Sequence, residues 1–231
     1  HFVFEDEGSV IPEDGREQYE SLPPEYSHLY MAVGGRLAAV ICIIDPLREE
    51  AKDVLSALRG LGVKNAVMLT GDSPRTATAI AKELGVDDFR AGVLPADKAD
   101  YVSALRREGH TVLMVGDGIN DSPALSEADA GIAISDGAAI AREIADITIA
   151  ADSLWELVRL RQLAMALMHR IQNNYRFVIG FNGVLIGLGV AGILPPATSA
   201  MLHNLSTLGV SLHSMSALPV AGRETKVVKD L

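Results

Sequence analysis

Apolar and polar positions in the first 150 residues alternate between short strand-like runs and amphipathic segments. Leu29 to Val33 and Leu37 to Ile44 flank Gly34-Gly35, the pattern of two strands joined by a tight turn. From Arg48 to Gly60, Ala51, Val54, Leu55 and Leu58 share one helical face, with Gly60 placed to end the helix. A strand is expected over Asn65 to Leu69, followed by a helix with Ser73 as N-cap and Pro74 at its first position. Next come a helix over Pro95 to Glu108 and a strand over Thr111 to Val115. Asn120, Asp121 and Ser122 open a further helix that Pro123 can enter without losing a needed hydrogen bond. Strand Gly131 to Ile134, helix Ala138 to Ala145 and strand Ile147 to Ile149 complete the series. This alternation predicts an α/β fold, a mostly parallel sheet with flanking helices.

The pattern changes near Leu154. Leu154 to Arg176 has apolar residues at helical spacing and carries Arg159, Arg161, Arg170 and Arg176, and Phe177 to Gly222 then contains no Asp, Glu, Lys or Arg. Phe177 to Leu194 and Ala197 to Leu218, broken at Pro195-Pro196, approach or reach the roughly 20 residues that cross about 30 Å of hydrocarbon. Arginines precede the first stretch, and Arg223, Lys226 and Lys229 follow the second, which places both flanks in the cytoplasm. A two-helix transmembrane hairpin is therefore expected, with a buried hairpin in a large soluble protein as the alternative. Gly180, Gly183, Gly187, Gly189 and Gly192 predict close packing against membrane helices outside these residues.

Charge sharpens the division. The first 150 residues carry 13 basic against 26 acidic side chains and the remainder 7 against 4, within a net charge of -10. So acidic a domain is a poor partner for nucleic acid, whose phosphates recruit Lys and Arg. Residues 1–28 hold eight acids and one base and are read as an irregular connection. Cys42, the single cysteine, falls in an apolar run and is expected to be a buried, inert thiol in a reducing setting. No signal segment is visible, and His1 reads as a cut edge.

Candidate chemistry gathers where strands end. Asp117 and Asp121 follow the strand over Thr111 to Val115, where ligands bind in parallel sheets, and could hold Mg²⁺ through oxygen; an ordinary acidic loop is the plainer alternative. Thr70, Gly71 and Asp72 precede a helix start whose free amides favour an anion. Lys98, in the first turn of its helix, opposes the helix dipole. A phosphoryl group nearby would account for it, and so would a surface pair with Asp97 or Asp100. Within the charge-free region, polar Asn182, His203, Thr207 and His213 are costly in lipid. His203 and Thr207 share a helical face, for metal ligation or for helix-helix hydrogen bonds.

GDGINDSPAL from Gly116 to Leu125 resembles the hinge motif of P-type ATPases, whose phosphorylation domain is of the haloacid-dehalogenase type. LTGDSPRTATAIAKELG from Leu69, LPADK from Leu94 and IIDPLREEA from Ile43 match the same family in the same order. With two closing apolar helices the chain resembles the C-terminal portion of a heavy-metal-transporting P-type ATPase. The resemblance implies a nucleotide-domain remnant and hinge over 1–44 and a haloacid-dehalogenase-like phosphorylation domain over 45–151. A linking helix over 152–176, membrane helices over 177–194 and 197–218, and a cytoplasmic tail over 219–231 would follow. It implies Mg²⁺ and ATP as cofactors, a phosphoryl group held by Thr70, Gly71 and Asp72 and neutralised by Lys98, Mg²⁺ on Asp117, and Asn120 with Asp121 completing the site. Asp45 and Arg48 would lie at the nucleotide hinge, and Asn182, His203 and Thr207 on the transported ion.

The family's DKTGT nucleophile is absent here, so the resemblance places it, with the actuator domain and other membrane helices, upstream of His1. HNLST from His203 is similar to the HEGxT pattern of cobalt-type members, with Asn204 and Leu205 in place of the acid and the glycine. That favours Zn, Co, Ni or Mn over Cu as cargo. A membrane-anchored phosphatase of the same superfamily and a non-catalytic membrane fragment are the competing readings.

Overall fold

The computed structural model describes residues 4, 7–23, 26–43, 46–117, 120–134, 143–149 and 153–218. It divides into two compact units, 1–156 and 157–231.

In the first unit a 3-10 turn (Glu13–Gly15) and α1 (Arg16–Glu20) give local structure to a segment expected to be irregular. The hairpin follows as β1 (Ser27–Val33) and β2 (Arg36–Ile43), antiparallel, with Val33 opposite Arg36. Gly34 and Gly35 have φ of 58° and 75°, and two successive left-handed residues give the turn whose twist matches a two-residue hairpin. Cys42 is exposed, not buried as expected. Leu29, Met31, Val33, Ile41 and Ile43 are also about half exposed or more, whereas Tyr30, on the alternate face of β1, packs against Phe4 and Tyr19.

The alternating series then runs α2 (Ala51–Gly60), β3 (Val67–Leu69), α3 (Pro74–Leu84), β4 (Asp88–Arg90), α4 (Pro95–Arg107), β5 (Leu113–Gly116), α5 (Ser122–Glu127), β6 (Ala130–Ile134) and β7 (Ile147–Ile149). β3 pairs in parallel with β4, and β5, β6 and β7 form a parallel three-stranded sheet. The parallel α/β expectation is met. β4 was not anticipated, since Asp88-Phe89-Arg90 offers one apolar residue between two charges. The helix expected over Ala138 to Ala145 lies largely outside the described residues.

Local rules place these elements. Ser73 Oγ accepts the Thr76 N–H at 3.3 Å, Pro74 follows, and Gly85 at φ 68° closes α3 with its N–H on the Ala81 carbonyl at 2.9 Å. A second device recurs three times. Asp87, Asp129 and Asp146 each stand one residue before a parallel strand, and each carboxylate accepts the backbone N–H of Ala66, Val112 or Gly131 at 2.8 Å, at or just before the start of the neighbouring strand. Arg59 at the end of α2 and Arg106 at the end of α4 add ion pairs to Asp87 and Asp129 at 2.9 and 3.0 Å. These clasps fix which strand lies beside which.

The core is built from small and branched residues: Val54, Ala77, Val102, Ala124, Leu125, Ile132 and Ala133 are all buried, and Met114 and Ala145 pack against Leu125 and Ala133. α5 lies so close to β6 that a Cβ on Gly131 would stand 2.5 Å from the Leu125 carbonyl oxygen.

In the second unit α6 (Trp155–Val190), which begins in the first, is one continuous 36-residue helix, so the expected linking helix and first span are not separate elements. A turn with Gly192 at φ 72° leads to α7 (Pro196–Ser214). Asn182 and Asn174 on α6 bond to His203 and Ser214 on α7, at 2.8 Å each, so the two helices form an antiparallel hairpin. Among the described residues no helix is long and apolar enough to cross a membrane. The structure thus does not bear out the expected spans: α6 stops at Val190, before its apolar stretch ends, and α7 interleaves Leu with His203, Asn204, Ser206, Thr207 and His213. Within this chain a Cβ on Gly180, Gly183, Gly187 or Gly189 would meet nothing within 4 Å, so the close packing expected of them involves no described residue.

Gly131→Ala is expected to force α5 off β6 and cost about 1–3 kcal/mol, the range of core overpacking, read from the urea midpoint. A pH effect also follows. The Ala66 N–H, then Arg59, hold Asp87 below the usual carboxylate range, and the Val112 N–H with Arg106 does the same for Asp129. Because the folded values are depressed, the stability they contribute is complete above the unfolded carboxylate pKa of about 3.9 and is lost as pH falls through the lower folded values. The urea midpoint should fall as the pH is lowered below about 4, and the Asp87→Asn, Asp129→Asn double variant should flatten that fall.

Candidate active site

β3 ends at Leu69 and hands Thr70 to a loop held on both sides. The Thr70 N–H donates to the Arg90 carbonyl at 2.9 Å, the Val93 N–H donates to the Thr70 carbonyl at 3.0 Å, and the Gly92 N–H donates to the Asp72 carbonyl at 2.9 Å. Within the loop the Thr70 hydroxyl donates to Asp72 Oδ2 at 2.7 Å and accepts the Asp72 N–H at 3.1 Å. Gly71 is exposed between them. The 90–93 segment carrying these bonds leads straight into α4, and so to Lys98.

Lys98 finds its anion in neither Asp97 nor Asp100. Its Nζ lies 2.7 Å from Asp121 Oδ1, with both side chains only 13–14% exposed, while Asp97 Oδ2 accepts the Leu94 N–H at 3.3 Å. Asp121 is the N-cap residue of α5 but makes no side-chain cap bond. Its carboxylate turns instead toward Lys98 and over Gly116, where a Cβ would stand 2.5 Å from Asp121 Oδ2. Glycine at 116 is thus required by close approach, since its own φ is not left-handed.

The two acids proposed for Mg²⁺ therefore differ. Asp121 is the counter-ion of Lys98, whereas Asp117 is exposed just beyond β5, at the carboxyl end of a parallel strand. Among the described residues no three His, Cys, Asp or Glu side chains gather into a metal cage. Mg²⁺ needs none, since it commonly takes one or two carboxylates and completes its shell with phosphate and water. The oxygen donor of Asp117 fits that requirement. Asn120 is exposed between Asp117 and α5, Arg48 is exposed ahead of α2, and Asp45 lies outside the described residues.

Among the residues proposed for a transported ion, His203 Nδ1 meets Asn182 Oδ1 at 2.8 Å across the two helices. The Thr207 hydroxyl turns back to the His203 carbonyl at 3.0 Å, a common resting place for a helical threonine. The shared face that the spacing gave to His203 and Thr207 is thus taken up by a bond inside the helix, and the cross-helix partner is Asn182. The place of Lys98 in its helix calls for an anion; that Asp121, 23 residues away, supplies it is visible only in three dimensions.

The model of the haloacid dehalogenase-like hydrolases matches residues 5–129, which include every residue of this rim. The chain belongs to the haloacid dehalogenase-like hydrolase family. A manganese-exporting P-type ATPase of Mycobacterium leprae (strain TN) is 44% identical to this haloacid dehalogenase-like chain over 187 residues, 80% of this chain and 26% of that protein. The copper-transporting ATPase 1 of Rhizobium meliloti (strain 1021) is 40% identical over 201 residues, 87% of this chain and 24% of that one. The crystal structure of a zinc-transporting PIB-type ATPase in its E2.Pi state superposes with a TM-score of 0.76 at 33% identity, covering 88% of this chain and 34% of that chain. This haloacid dehalogenase-like chain thus resembles heavy-metal P-type ATPases, and it spans about a quarter of the length of the curated relatives it matches.

Lys98→Ala is expected to strand a largely buried carboxylate and cost about 1–3 kcal/mol. The Lys98→Met, Asp121→Leu double variant should recover part of that loss, and a double-mutant cycle in urea measures the coupling.

Proposed function

We propose that this chain carries the phosphoryl-handling site and two closing membrane helices of an ATP-driven transition-metal transporter that works through an aspartyl-phosphate. The observation that carries this reading is the tied rim. The Thr70–Asp72 loop is bonded to the segment that leads into α4, and Lys98 of α4 is bonded to the turn that follows Asp117. A hydroxyl, exposed backbone, an ammonium and a carboxylate thereby belong to one bonded set at the ends of parallel strands.

Each group has work to do on a phosphoryl group. The Gly71 backbone and the Thr70 hydroxyl, once its proton turns away from Asp72, would donate hydrogen bonds to its oxygens, and Lys98 would offset its negative charge. Asp121 keeps the ammonium in place and answers its charge when no phosphoryl group is present. Asp117 would hold Mg²⁺, which when bound would neutralise charge on the transferring group. Such catalysis depends mainly on positioning and electrostatics. The aspartyl nucleophile comes from residues outside this chain, since DKTGT is absent from it. Asp45 and Arg48 serve the nucleotide hinge, with ATP as phosphoryl donor.

The hairpin supplies the membrane part. Charge-free sequence from Phe177 to Gly222, flanking arginines, and Val184, Ile186, Val190, Leu205 and Leu212 at 60–86% exposure support a surface that lipid or further helices cover. The first unit and the C-terminal tail would lie in the cytoplasm. Imidazole and amide oxygen, as in His203 with Asn182, suit divalent Zn, Co, Ni or Mn better than the soft ligands that select Cu(I).

The test uses the full-length protein. ATP hydrolysis should rise with one of Zn, Co, Ni or Mn more than with Cu, and Asp117→Asn should lower it by about 100-fold or more. His203→Ala should remove the metal stimulation, and the 231 residues alone should neither form a phosphoenzyme nor move an ion. Hydrolysis indifferent to every metal, or to Asp117→Asn, would sink the proposal.

A further inference from the structure

One carboxylate outside the phosphate rim begins two helices. Glu50 is the N-cap residue of α2, and its carbonyl accepts the Val54 N–H at 2.9 Å. Its side chain makes no bond to its own helix. The carboxylate reaches instead to the start of α6, where Oε2 accepts the Ser153 hydroxyl at 3.0 Å and Oε1 accepts the Leu154 N–H. Ser153 Oγ in turn accepts the Trp155 N–H at 3.3 Å.

The first amides of a helix lack partners within it, and its positive end favours a carboxylate. An acid at an N-cap ordinarily serves the helix it begins. Glu50 leaves its own helix without a side-chain cap and caps one that starts more than 100 residues later. In sequence it lies two residues after Arg48 and five after Asp45, the segment assigned to the nucleotide hinge. At its other end the chain of bonds meets α6, the helix that carries Asn182.

We infer that Glu50 is a positioning residue that ties the start of α2 to the start of α6, so that movement at the hinge is passed to the helix bearing the ion-site candidate. Backbone and side chain of the one residue each hold a helix start, and neither start can shift without dragging or breaking the other. Its consequence for transport rests on the function proposed above, while the latch itself does not.

Two measurements separate these. In this chain, Glu50→Ala should speed hydrogen exchange at the Leu154 and Trp155 amides at least tenfold, with β5 and β6 unchanged; unchanged exchange there overturns the latch. In the full-length protein reconstituted in lipid vesicles, Glu50→Ala should keep phosphoenzyme formation from ATP but lower ions moved per ATP at least fivefold. Glu50→Gln, which retains one acceptor oxygen, should restore part of that ratio, and Ser153→Ala, a milder change, should lower it less. A wild-type ion-to-ATP ratio in folded Glu50→Ala overturns the inference. Absence of metal-stimulated hydrolysis in the wild type overturns the transport reading, and the exchange result still decides the latch.

Discussion

The ion pair between Lys98 and Asp121 is the contact on which the rim depends. A cation in the first turn of a helix works against the dipole, and a carboxylate only 14% exposed is costly without a partner. Each is tolerable because the other is 2.7 Å away. The pair determines neighbouring sequence as well. It turns the Asp121 side chain away from capping α5 and lays it over Gly116, which explains why that position has no Cβ. A strand end, a helix start and a second helix are thereby held together by two side chains.

Around that pair the scaffold keeps its strands in place with very little apolar area. Strands of three to five residues bury few side chains each, and the core relies on alanines, valines and single larger residues such as Leu125 and Ile132. Polar clasps supplement it. The aspartates before β4, β6 and β7 answer an amide of the neighbouring strand, so that strand order is written partly in hydrogen bonds of defined direction. Such clasps weaken when the acids protonate, whereas apolar packing does not.

The helical hairpin obeys a different balance. Arg170 reaches from α6 to the carbonyls of Ser214, Ser216 and Ala217, quieting the C-terminal end of α7, and the His203–Asn182 bond joins the helices nearer the turn. Between those links large apolar side chains remain exposed, and the glycines of α6 have open space beside them. Several polar groups of this unit thus bond across or within its helices, while much of its apolar surface stays open.

From the sequence by itself came the alternation of strand and helix, the cap at Ser73, the two-glycine hairpin and the charge-free tail, because each depends on residues within a few positions of one another. The family resemblance, carried by four short motifs, was legible for the same reason. Tertiary structure alone decided β4, whose Asp-Phe-Arg becomes a strand only by pairing with β3. It alone chose Asp121 for Lys98, turned Thr207 back on its helix, exposed Cys42 and sent the Glu50 side chain to α6. Those outcomes were settled by competition among groups far apart in the chain, where propensity and periodicity say nothing about which partner wins.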